Sequence, residues 1–103
     1  MSKEEVFQQI LDNALSEGQK VIDKFWKEHE IETSWSVCLG DLYVTGNSEF
    51  AKWYRKKMKT RNKEVVIENG GGYKYEGAMM WASTVQRVLS NFGIETTNRI
   101  HLD

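Results

Sequence analysis

Proline is absent from this chain of 103 residues, where average usage would supply about five. Its turns must therefore come from Gly, Asn and Asp, and no X-Pro isomerisation slows its folding. Cysteine is almost absent too. Cys38 stands alone, which excludes an internal disulfide and cannot by itself assemble a zinc site. No apolar run reaches the roughly eighteen residues of a membrane-spanning helix. The opening Met1-Ser2-Lys3-Glu4-Glu5 lacks the basic-then-apolar order of a secretory signal. There is no internal repeat, low-complexity tail or long linker. These absences predict a soluble, cytoplasmic protein folded as a single domain over 1–103.

The residues that are present support a packed core. Apolar residues make up 40% and aromatic residues 12% of the chain, too many for a disordered segment. The net charge of −1 conceals a strong asymmetry. Residues 1–32 carry eight acids against four bases. Residues 52–63, KWYRKKMKTRNK, carry seven of the fourteen Lys and Arg and no acid. A local basic cluster on a weakly acidic body creates a directional field rather than a general polycation.

Periodicity predicts an α+β fold, in the order α-ββ-α-ββ-α-(β), with antiparallel hairpins packed against helices. Residues 3–29 read as a helix, with Ser2 and Glu5 spaced as a capping box and Phe7, Ile10, Leu11, Ala14, Val21, Ile22 and Phe25 on its apolar side. At about 1.5 Å per residue it would be about 40 Å long, so a break near Gly18 or an extension to a partner is expected. Residues 34–45 read as a hairpin turning at Gly40-Asp41, with Trp35, Val37, Leu39, Leu42 and Val44 on one face and Ser36, Cys38, Tyr43 and Thr45 on the other.

A helix over 48–60 follows, capped by Ser48. Phe50, Ala51, Trp53, Tyr54 and Met58 fall on one side, and Lys52, Arg55, Lys56 and Lys59 on the other. Lys57 lies on the apolar side and must snorkel outward. Residues 64–76 read as a second hairpin around Asn69-Gly70-Gly71-Gly72, and residues 78–92 as a helix ended by Gly93. The last segment, 94–103, is extended, with Ile100 and Leu102 facing inward.

Chemistry-bearing motifs are sparse. Gly72 and Gly77 have the spacing of a phosphate loop, but Ala78-Met79 replace the Lys-Ser/Thr pair that the chemistry requires. The dinucleotide fingerprint fails because Gly70-x-Gly72 leads into Tyr73-Lys74-Tyr75. The glycine run therefore reads as a flexible hairpin tip. His29, His101 and Cys38 stand apart, the acids show no paired spacing, and Trp26 reads as core or rim packing. Neither catalytic nor metal-binding residues are predicted, and no cofactor is implied.

The expected function is a non-enzymatic binding module for an anionic partner, DNA or RNA first, with little sequence specificity. Lys52, Arg55, Lys56 and Lys59 would meet phosphates, flanked by Arg61, Lys63 and the segment containing Gly70, Gly71, Gly72, Tyr73 and Tyr75. Two alternatives belong to other classes. One is an interaction or inhibitor protein that docks on an acidic protein face; the other binds a phosphorylated metabolite or nucleotide through the Gly70–Gly77 region. The bland reading of the cluster is a solvated helix face, although such faces usually include Glu partners. Membrane attachment is not expected, and the first helix offers a surface for a homodimer.

Overall fold

The computed structural model describes residues 2–28, 37–72 and 74–103. Trp35, Ser36, His29 and Tyr73 lie outside them. Three helices, α1 (Lys3–Glu28), α2 (Glu49–Lys57) and α3 (Tyr75–Asn91), are interleaved with five short strands: β1 (Cys38–Leu39), β2 (Leu42–Val44), β3 (Val65–Ile67), β4 (Thr96–Asn98) and β5 (His101–Leu102). All strand pairing is antiparallel, in a three-stranded sheet ordered β3-β2-β4 and a two-stranded sheet of β1 and β5. The α+β architecture is as the sequence predicts.

The core lies where α1 and α3 pack on the sheet. Leu11, Ala14 and Ile22 from α1 meet Ala78, Trp81, Ala82, Val85 and Leu89 from α3, over Leu42, Val44, Val65 and Ile67. Helix α1 is unbroken through Gly18. Instead of weakening the helix, Gly18 lets it approach α3: a Cβ there would lie 2.7 Å from Trp81 Cδ1 and 2.9 Å from Val85 Cγ2. The uninterrupted helix accounts for much of the molecule's 46 Å long axis. Its start is fixed as expected, with Ser2 Oγ accepting from Glu5 N at 3.2 Å.

The expected 34–45 hairpin does not form. Strands β1 and β2 belong to different sheets, and each pairs with the C-terminal segment. One register runs through both pairings, from Cys38↔Leu102 to Leu42↔Asn98. Arg99 N donates to Asp41 O at 3.0 Å and Asp103 N to Val37 O at 3.0 Å, so 37–45 and 95–103 form one long ribbon, bent in the middle. Gly40 is the bend. Its φ is +98°, and a Cβ there would strike the Arg99 carbonyl oxygen. Crossing between sheets also reverses the expected faces in β1: Cys38 is buried, while Val37 and Leu39 are 41% and 52% exposed.

The 64–76 hairpin is also replaced. Strand β3 pairs with β2, Lys74 forms only an isolated bridge to Val37, and Tyr75 already belongs to α3. The chain cannot fold back as a strand because the glycines lie against the helix: a Cβ on Gly71 would sit 2.5 Å from Ala78 Cα. Helix α3 thus starts three residues earlier than predicted. It ends as expected, with Gly93 at φ +73° and Ile94 N donating to Leu89 O at 3.1 Å. In the last segment Ile100 is buried, but Leu102, expected to face inward, is 55% exposed in the two-stranded sheet of β1 and β5.

Candidate anion-binding site

Helix α2 owes its position to its ends and its apolar side. Ser48 Oγ accepts from Ala51 N at 3.1 Å, and Glu49 sits in the first turn. Phe50, Ala51 and Tyr54 are buried. The Tyr54 hydroxyl donates to Val66 O at 2.8 Å, so the helix covers the outer edge of β3. Burial raises the Tyr54 pKa, and the charge of Glu68 raises it further.

The helix stops at Lys57, short of the expected residue 60. Lys59 N donates to Lys56 O and Thr60 N to Arg55 O, which closes a Schellman end with Lys59 in the glycine position at φ 54°. This early stop turns Met58, expected on the apolar side, outward to 43% exposure.

Lys52, Lys56, Lys57, Lys59, Arg61 and Lys63 are all exposed. Among the described residues none of them forms an ion pair; the pairs present are Lys3–Glu49, Lys20–Glu17, Lys24–Glu28 and Arg99–Glu64. Lys57 snorkels as expected, with its Nζ 5.7 Å from the Trp53 ring centroid. Arg55 is the exception. Its Nη2 donates to Gly46 O at 2.5 Å and its Nε is buried without a partner, so it braces the turn before α2 instead of facing outward with the lysines.

Beside this face lies a groove of about 300 Å3 between the first turn of α1 and α2. Phe7 and Trp53, both half-buried with centroids 5.7 Å apart, form its aromatic lining. Lys52 and Lys56, one helical turn apart, line the α2 side. On the α1 side Lys3 is held by Glu49 at 3.0 Å, and Glu4 has no ion-pair partner among the described residues. Sequence reasoning missed the contribution of α1: Lys3 and Glu49 are 46 positions apart, and no local pattern links them.

The glycine segment is built differently. Asn69 Oδ1 accepts from Gly71 N at 2.8 Å, Asn69 Nδ2 donates to Gly72 O at 2.9 Å, and Asp41 Oδ1 accepts from Asn69 N at 2.8 Å. The loop is therefore hydrogen-bonded internally, not a flexible tip, and it lies on α3. Its contacts include Asp41, Cys38, Ala78, Trp81 and Trp26, and among the described residues no hydrogen bond or ion pair joins it to the basic cluster of 52–63. Tyr75 is half-buried in the first turn of α3. Cys38, with Sγ 3.9 Å from Asn69 Nδ2, has its thiol pKa raised by burial, partly offset by that bond. Lys74 is buried, its Nζ 5.5 Å and 6.0 Å from the Phe25 and Trp26 ring centroids. No metal-binding group of three or more His, Cys, Asp or Glu occurs among the described residues.

Comparison with protein-family models, curated proteins and solved structures gives no match. Among the described residues no helix is long and apolar enough to cross a membrane.

Proposed function

We propose that this protein is a binding module that holds nucleic acid through the outward face of α2 and the connection after it, using Lys52, Lys56, Lys59, Arg61 and Lys63. One observation carries the reading: these cations have no carboxylate partner among the described residues, although acids elsewhere do form ion pairs. Unpaired cations displace the counterions condensed on a polyanion, and that release is the main source of sequence-independent affinity. Contacts from lysine and arginine to phosphates position a strand but carry no sequence information, so binding is weakly selective for sequence.

The test is retention of a labelled oligonucleotide at low salt by the native chain and by a Lys52→Glu, Lys56→Glu, Lys59→Glu variant. Arg55 is left intact because changing it would disturb the turn before α2. The variant should keep its circular dichroism and lose at least about tenfold in affinity. For the native protein, about five neutralised phosphates on a single strand imply a log–log salt slope of roughly −3.5. Equal retention by a folded variant would falsify the reading. A co-purifying protein in place of nucleic acid would transfer the same face to an acidic protein partner.

A further inference from the structure

We infer that the groove between α1 and α2 receives an unpaired base, so that the preferred ligand is single-stranded rather than duplex nucleic acid; this rests on the nucleic-acid reading above. The basic face alone cannot distinguish the two, since both present phosphates. The groove can. Phe7 and Trp53 give it an aromatic floor among charged side chains, and its volume of about 300 Å3 exceeds the roughly 150 Å3 that holds a benzene ring. Base–aromatic contact of this kind stabilises single strands with little regard to sequence, because every base has a π-face. In a duplex those faces are stacked away, and only the phosphates remain to be bound.

Charge sets the orientation. Lys52 and Lys56 line the α2 side without carboxylate partners among the described residues, and Lys59 follows just beyond the end of the helix. The α1 side is different, with Lys3 paired to Glu49 and Glu4 without an ion-pair partner among the described residues. A strand whose base enters the groove therefore runs its phosphates along α2 and away from Glu4. Lys57, outside the groove lining, places a further cation over the Trp53 ring.

The experiment uses the unmodified protein. Binding of an oligothymidylate is compared with that of an abasic oligonucleotide of equal length and charge, and with a duplex. Base-bearing single strand should bind at least about fivefold tighter than abasic strand. Photocrosslinking with a bromouracil-substituted strand should place the adducts on Trp53 or Phe7. Equal affinity for abasic and base-bearing strands overturns this inference while leaving the basic-face reading intact. So do tighter binding of duplex, and a failure to find adducts on either ring. Loss of all binding in the lysine-reversed variant with no difference between abasic and base-bearing strands separates the two claims. No binding to any of the three ligands removes both.

Discussion

Lys59 holds the left-handed conformation that closes α2, at φ 54°, where glycine is the usual choice. For an L-residue this conformation costs about 1–2 kcal/mol. Glycine would remove that cost but lose roughly 0.5–1 kcal/mol to the freedom of the unfolded chain. Lys59→Gly is therefore expected to raise stability by about 0.5–1 kcal/mol in urea unfolding while weakening oligonucleotide binding; lower stability would show that the strained cap is misread. Two buried groups set the alkaline limit. The Cys38 and Tyr54 pKa values are both raised in the folded chain. Their neutral forms stabilise the fold fully below their unfolded values, about 8.5 and 10, and that stability is lost as pH rises through the folded values. The urea midpoint should thus fall from about pH 8.5 upward, and in Cys38→Ala the fall should begin only near pH 10.

At the scale of elements, the tightest constraint is the crossing of α1 and α3 at Gly18. Alanine would gain about 1 kcal/mol in helix propensity, yet its methyl group would meet Trp81 and Val85, both buried side chains. Overpacking of this kind costs about 1–3 kcal/mol, so Gly18→Ala should lower the thermal midpoint despite being the better helix former. An unchanged or higher midpoint would mean the helices can part without penalty. The helices themselves were legible in the sequence because their signals are local: the apolar spacing of α3, the Ser48 cap and Gly93 all lie within a few residues of what they control. The strands fall within the segments predicted as extended, but their pairing was not legible. Leu39-Gly40-Asp41-Leu42 has the local pattern of a two-residue hairpin, and only the Arg99 carbonyl, about sixty residues away in sequence, turns it into a bend. The same distinction divides the site. The lysine row is one contiguous stretch and could be read directly, whereas the groove exists only because Phe7 and Lys3 fold back beside Trp53 and Glu49.

For the whole molecule, the uneven distribution of charge matters more than its total. The surplus of acid belongs largely to α1 and the segment after it, and the surplus of base to α2 and the connection to β3. On the proposed reading, a polyanion approaching the weakly acidic body would be steered to one region, and the acidic remainder would discourage binding elsewhere. The 46 Å axis set by α1 leaves that region at the start of the helix, while the glycine loop packs near its other end through Trp26. The two predicted halves of the binding surface, basic helix and glycine segment, thus meet different parts of α1.

The connection between α2 and β3 carries Lys59, Arg61 and Lys63 outside any helix or strand, all exposed. Each is also a trypsin site. Lys52, Lys56 and Lys57 sit in hydrogen-bonded helix and should resist cleavage longer. Brief digestion of the native protein should therefore nick first at these three positions, and an oligonucleotide lying across them should delay those cuts more than any others. Protection confined to that short stretch would give a footprint of the partner without any mutation, whereas unchanged cleavage there in the presence of bound oligonucleotide would move the contact to another part of the surface.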